Sequence, residues 1–161
     1  MTGTKCLKKF GCFWGAVMFL VSSAVTANAQ LLTNDGAAIF SSSGALIFVD
    51  GEMVNQGLGT YDHSGTIELT GDWTNNAGNA AFVNGSPGTV NMTGGTQTIK
   101  GTDPTLFYDL ILTGSGNKAQ QVNATVTDSL ALNDKELATD TFIMHVTNTS
   151  LTSITRTTGF V

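Results

Sequence analysis

Three stretches of the sequence repeat one pattern: G-T-I-E-L-T-G at residues 65–71, G-T-V-N-M-T-G at 88–94 and L-I-L-T-G at 110–114. Weaker copies are I-F-V-D-G at 47–51 and L-A-L-N at 130–133. The apolar residue two positions before each glycine, or its equivalent, recurs at spacings of 20, 23, 20 and 20 residues. These positions are Val49, Leu69, Met92, Leu112 and Leu132. Self-similarity at such a period is typical of repeat architectures.

Apolar and polar residues alternate within each copy, as in Ile67 and Leu69 or Val90 and Met92. A period of two residues is expected of a β-strand with one buried face. No stretch after the leader keeps a helical period of 3.6 residues over three turns. The sequence therefore predicts an all-β protein.

Two all-β architectures can use this pattern. In a parallel β-solenoid each repeat forms one coil, and equivalent residues of successive coils lie directly above one another. In an antiparallel β-sandwich, short strands pack as two sheets, but successive strands have different roles and need not repeat the same residues. The constant period therefore predicts a right-handed parallel β-solenoid (a β-helix) of about five coils of about 20 residues, with the sandwich as the alternative.

The N-terminus has the layout of an export signal. A lysine-rich start precedes an apolar run over residues 10–25, and A-N-A at 27–29 matches the small-x-small pattern of a cleavage site. Residues 1–29 are therefore predicted to be a signal peptide, and residues 30–161 a single β-solenoid repeat domain. The apolar run is shorter than the roughly 20 residues of a spanning helix, so no stable membrane span is expected after cleavage.

Charge and cysteine content narrow the chemistry of the mature chain. It carries 12 acidic and four basic residues, a net charge of −8 without a basic cluster, which opposes binding to a nucleic acid. Both cysteines, Cys6 and Cys12, fall in the leader, so no disulfide or thiol nucleophile is expected. We expect no cofactor.

Four acidic residues form the weak candidate for a metal site. Residue 50 is the repeat equivalent of residue 70, and residue 52 is the equivalent of residue 72. Carboxylates of neighbouring coils are therefore expected near each other on one outer face. Oxygen ligands of this kind can hold calcium, although a solvated acidic face is the simpler interpretation. The candidates are Asp50, Glu52, Glu68 and Asp72.

Two aromatic residues, Tyr61 and Trp73, are weak candidates for a sugar-stacking platform. The register of the repeat places Trp73 at the position of Met53, which favours a core role instead. Asp62-His63-Ser64 contains the residue types of a hydrolase triad, but consecutive strand residues point to opposite faces and cannot form the relay. The sequence predicts no catalytic residue.

The stretch from residue 65 to 132 resembles a repeat region of large secreted surface proteins of Gram-negative bacteria that use type IX secretion. The likeness lies in G-T-V-N-M-T-G-G-T-Q-T-I-K-G at 88–101, in F-Y-D-L-I-L at 107–112 and in V-T-D-S-L-A-L at 126–132. It departs from the family pattern at Met92, Asp109 and Asp128. The resemblance implies a β-rich, adhesin-like ectodomain without catalytic residues. It also implies a weak O-glycosylation acceptor at Ser129, within D-S-L.

Together these features predict a secreted or cell-surface structural or adhesive module without catalytic activity, which presents a Thr/Asn-rich solenoid surface. Its expected partners are a glycan or a surface protein. The alternative is a polysaccharide-binding or polysaccharide-cleaving β-helix fragment. Strand-like sequence continues up to Val161, and we therefore expect a downstream part of the same polypeptide.

Overall fold

The computed structural model describes residues 31–78, 81–83 and 85–161. The predicted signal peptide, residues 1–29, lies outside the described residues. All regular structure in the described part is β-strand, and the strands form the predicted right-handed parallel β-solenoid, with about six turns. We number its coils from the N-terminus.

The strands of successive coils are β1 (Leu31–Asp35), β2 (Ala38–Ser41) and β3 (Leu46–Val49) in coil 1; β4 (Glu52–Gln56), β5 (Thr60–His63) and β6 (Thr66–Leu69) in coil 2; β7 (Trp73–Asn76) and β8 (Thr89–Met92) in coil 3; β9 (Gln97–Gly101) and β10 (Thr105–Leu112) in coil 4; β11 (Lys118–Gln120) and β12 (Ala124–Asn133) in coil 5; and β13 (Leu137–Ala138), β14 (Met144–Val146) and β15 (Ile154–Arg156) in coil 6.

The coils stack into three sheets. Sheet A has the order β1-β4-β7-β9-β11-β13, and sheet C has the order β14-β12-β10-β8-β6-β3, with β15 also on β12. Sheet B joins β2 to β5 and continues into coil 3 through the bridge from Tyr61 to Phe82. Every strand pair in the described part is parallel. The antiparallel sandwich is therefore wrong, because a chain that returns to the same side in each coil lays its strands in one direction.

The five residues that define the repeat form one interior column. Val49 pairs with Leu69, Leu69 with Met92, and Met92 with Leu112. Leu132 continues the column, since Ile111 and Ala131 pair immediately before it. All five column residues are at most 2% exposed, so the prediction that they share one core is confirmed.

The chain turns a corner after each column residue, and this turn requires a left-handed backbone conformation that most residues avoid. Gly114 has φ +82°, and a Cβ there would collide with the carbonyl oxygen of Gly94. In coil 5 the left-handed residue is Asn133, one position earlier in the repeat, with φ 52°, and asparagine tolerates this region better than most residues. The glycine of the repeat is thus a steric requirement of stacked coils.

The repeat predicts about five coils, one fewer than the structure contains. Coil 6 stacks on coil 5 through β14 and β15, which both pair with the ten-residue β12. Its three strands have only two or three residues each, too few to repeat the alternation. Backbone amides of Thr157 and Gly159 donate to the carbonyl of Asn133 instead, at 2.7 and 2.9 Å.

A ladder of buried asparagines crosses the first three coils. Asn34 Nδ2 donates to Asn55 Oδ1 at 3.1 Å, and Asn55 Nδ2 donates to Asn75 Oδ1 at 3.2 Å. Asn55 Nδ2 also donates to the carbonyl of Gly59 at 2.8 Å. All three side chains are at most 2% exposed. Buried amides need partners of this kind, and the ladder supplies them between coils.

Candidate functional site

The aromatic candidates for sugar stacking lie in the core. Tyr61 and Trp73 are both 0% exposed, and their ring centroids are 6.0 Å apart. Trp73 stacks on Phe82 at 5.2 Å, meets Phe107 edge-on and donates its indole N–H to Thr105 Oγ1 at 2.9 Å. Burial raises the pKa of Tyr61 to about 12. Neither ring offers a face to a sugar, because both positions point inward in the strand alternation, as Met53 does opposite Trp73.

The structure brings together only two of the four calcium candidates, and it places a lysine between them. Lys100 Nζ lies 3.3 Å from Glu52 Oε1 and 2.7 Å from Asp72 Oδ2. Thr74 Oγ1 donates to Glu52 Oε1 at 2.6 Å, and the amide of Thr98 donates to Asp72 Oδ1 at 2.8 Å. The ammonium group thus occupies the position between the carboxylates that a metal ion would need.

The other two calcium candidates lie apart from this cluster. Asp50 Oδ1 accepts from Thr70 Oγ1 at 3.0 Å, while Glu68 is on β6 in sheet C, opposite Phe48 and Asn91. In the described part of the chain, no group of three or more His, Cys, Asp or Glu side chains is arranged to hold a metal ion.

Lys100 is held in its charged form. The hydrogen bond to Asp72 is the largest cause that raises its pKa, and Glu52 adds to it. A general base must lose its proton near the working pH. This lysine is therefore a structural cation between coils 2, 3 and 4, and its position 28 residues after Asp72 explains why the sequence did not reveal the pairing.

A serine–histidine pair connects coils 1 and 2, and sequence reasoning missed it. Ser41 and His63 are register partners in sheet B, with Ser41 Oγ 2.5 Å from His63 Nδ1. His63 Nε2 donates to the carbonyl of Thr89 at 3.2 Å, so Nδ1 accepts a hydrogen bond from the Ser41 hydroxyl. Burial lowers the pKa of His63. Asp62 is exposed on the opposite face, as the alternation predicts.

Both members of this pair are enclosed. Ser41 is 6% exposed and His63 is 2% exposed, and a Cβ on Gly88 would collide with the imidazole ring. A nucleophilic serine needs space for a substrate carbonyl beside its hydroxyl. The pair therefore acts as a buried hydrogen-bond link between coils.

Lys118 is a buried cation without a carboxylate partner in the hydrogen-bond network of the described residues. It is 1% exposed, and its Nζ donates to the carbonyls of Gly94 and Gly95 at 3.0 and 2.8 Å and to Gln97 Oε1 at 2.8 Å. Burial lowers its pKa to about 8, and the positive charge of Lys135 adds to the effect. We call this group of acceptors the Lys118 cage.

The predicted glycosylation acceptor is part of a strand. Ser129 is half-buried on β12, and its Oγ donates to Asp109 Oδ1, which also accepts from the Ser129 amide at 3.0 Å. The register of β10 and β12 shifts between Phe107 and Asp109 at this point. The hydroxyl therefore already bonds to the preceding coil.

Four of these groups share one property: Ser41, Lys100, Lys118 and Ser129 each form a hydrogen bond or ion pair with a neighbouring coil. No cavity or cleft is present within the residues that the structure describes. In the same residues, no helix has the length and apolar character needed to cross a bilayer. Comparisons of the chain with family models, curated proteins and solved structures gave no match.

Proposed function

We propose that the chain is a structural or adhesive module, secreted or held at the cell surface, without catalytic activity. One observation carries this proposal: the Ser41–His63 pair, the ion pairs of Lys100 with Glu52 and Asp72, and the Lys118 cage all join neighbouring coils. Groups that an enzyme would direct at a substrate here stabilise the stack. A solenoid of this kind supports a scaffold role, because its outer surface is long and regular.

The adhesive part of the proposal rests on the outer face of sheet C. Thr66, Thr89, Asp109 and Ser129 are register partners on successive coils and point outward. Parallel strands are about 4.8 Å apart, so the row offers evenly spaced polar groups. A glycan or a surface protein is the partner class that such a row fits.

Export is supported by sequence alone. Residues 1–29 have the layout of a signal peptide, and the resemblance to type IX-exported surface proteins covers residues 65–132.

A binding experiment tests the adhesive role. The whole chain, recovered as exported, is applied to a glycan array and to cultured cells. The double substitution Thr66→Lys and Thr89→Lys in the outer row is expected to abolish binding. Thr98→Lys, on the outer face of sheet A, is the matched control and is expected to leave binding unchanged. Absence of binding in both assays refutes the adhesive role and leaves the scaffold role.

The second candidate is polysaccharide binding or cleavage, which one observation favours: Lys100 lies beside Glu52 and Asp72 on an outer face. Cleavage of a polysaccharide that Glu52→Ala and Asp72→Ala abolish would support this candidate over the scaffold. The raised pKa of Lys100 opposes it, because the amine stays protonated.

A further inference from the structure

Coil 1 differs from coil 2 on its outer surface. Outward residues of coil 1 are apolar at four positions where their register partners in coil 2 are polar or charged. The pairs are Leu31 with Glu52, Phe40 with Asp62, Leu46 with Thr66, and Phe48 with Glu68. The four apolar side chains are 53%, 72%, 61% and 56% exposed, respectively. We call them the apolar rim; it includes residues from all three sheets.

The rim surrounds an open end of the core. Among the residues from Leu31 onward, β1, β2 and β3 each have a paired strand on one side only. Leu32, Ile39 and Ile47 face inward at this end and are only partly buried, whereas Met53 and Ile67 one coil later are 0% exposed. Free strand edges beside apolar side chains promote pairing with another chain.

We infer that this end is an interface with a second copy of the same chain, joined end to end about a two-fold axis. Such an axis, perpendicular to the solenoid axis and through sheet C, places β3 antiparallel to β3 of the second copy. It also places β1 antiparallel to β2 of the second copy. Each free strand edge of coil 1 then has a partner.

The side chains agree with this arrangement. With Ile47 on the axis, Leu46 lies opposite Phe48 of the second copy on the outer face. Leu31, at the start of β1, lies opposite Phe40 of the second copy, near the end of β2. Each pair joins two apolar residues, and cross-strand aromatic–aliphatic pairs stabilise a sheet. The rim is thus complementary to itself.

Charge and size also favour a second copy. β2 and β3 contain no charged residue, so two copies of an acidic chain meet along these strands without facing carboxylates. Asp50 lies after the end of β3, and Asp35 lies at the end of β1, near the axis. A stable interface uses about 20–30 residues on each side, and coil 1 supplies the 20 residues from 31 to 50.

Head-to-tail stacking is a poorer match. Parallel stacking of coil 1 on coil 6 continues each outer row, and the row that begins at Phe48 ends at Thr155. The aromatic ring of Phe48 would then meet the polar Thr155, and the exposed apolar side chains of coil 6, among them Ile143, Leu151 and Phe160, lie outside this row. Head-to-tail contacts also leave both outer ends open and grow into filaments, whereas a two-fold contact closes at two copies.

Light scattering and sedimentation of the whole chain, recovered as exported, test the inference. We expect twice the chain mass and no larger species. Phe40→Asp with Phe48→Glu introduces acidic residues like those that coil 2 carries. It is expected to weaken the dimer at least about 100-fold, because each new carboxylate would be buried without a partner against Leu31 or Leu46 of the second copy. Leu58→Asp is the matched control. Leu58 is as exposed as Phe40, at 72%, but lies in coil 2, so the Leu58→Asp variant should remain a dimer.

Further variants keep the inference falsifiable. If the double variant loses the circular dichroism signal of the folded chain, Leu46→Thr gives a milder test. It introduces the residue type that coil 2 has at the same position, Thr66, and is expected to weaken the dimer. Ile47→Cys, in a chain with Cys6→Ser and Cys12→Ser, is expected to cross-link two copies on oxidation. A monomeric wild-type chain, growth beyond two copies, flotation of monomers with phosphatidylcholine vesicles, or equal dissociation of the Leu58→Asp control would each overturn it.

Discussion

Lys118 gives the sharpest test of the core, because its lowered pKa should make the folded chain more stable as the pH rises. Its pKa falls from 10.5 to about 8 in the folded chain, first through burial and then through Lys135. Between these two values the unfolded chain binds more protons than the folded one, so stability rises with pH. Linkage over this interval gives a gain of about 2 kcal/mol between pH 7 and pH 9.5.

Urea unfolding at pH 7, 8, 9 and 9.5 measures this gain. Lys118→Met is expected to be destabilised at every pH, since the carbonyls of the Lys118 cage lose their donor, and its stability should not rise over the same interval. Lys100→Met is the control, because the pKa of Lys100 is raised rather than lowered and its removal should leave the rise intact. The upper limit of pH 9.5 avoids ionisation of Tyr61, whose pKa of about 12 makes stability fall above pH 10. A wild-type stability that is flat with pH, or an equal rise in Lys118→Met, would refute the reasoning.

Three further predictions concern the interior. Met92→Ala opens a cavity in a column residue that is 0% exposed and should lower the free energy of unfolding by about 3 kcal/mol in urea titrations; a loss below about 1 kcal/mol would contradict the stacked core. The pKa of His63 is lowered in the folded chain, so on acidification this histidine is protonated in the unfolded chain before it is protonated in the folded one. The stability of the fold should therefore decrease as the pH drops below 6.5. His63→Gln should make this decrease smaller, as measured by thermal melts at pH 7.5 and pH 5. Asn55→Ala removes the middle of the ladder between Asn34 and Asn75 and should cost about 2 kcal/mol, whereas an unchanged urea midpoint would mean that the ladder does not stabilise the stack.

The sequence predicted the features that depend on period and alternation. Equivalent residues such as Leu69 and Met92 lie over one another because each coil has almost the same length, and the alternation sets which of them face inward. The same rule places Trp73 over Met53 and so removes it from the surface. These inferences need no knowledge of side-chain conformation.

The bonds between coils could not be predicted in the same way. Ser41 meets His63 across 22 positions and Lys118 meets Gln97 across 21, and each contact depends on the length of the intervening corner. One signal was present: Gln97 and Lys118 are register partners, two positions before Ile99 and Gln120, and alternation makes all four face inward. A lysine at an inward position was the indication of a buried cation.

The contacts that hold the coils together have a consequence for how the chain can change length. Most side-chain bonds between coils, such as Thr70 to Asp50 and Ser129 to Asp109, span one repeat of about 20 residues. A gene segment that encodes one whole repeat can therefore be duplicated or lost without leaving broken contacts deeper in the molecule. Each such event would change the axial length by about 4.8 Å. The architecture thus permits evolution by small equal increments, with the axial length of the solenoid as the property that varies.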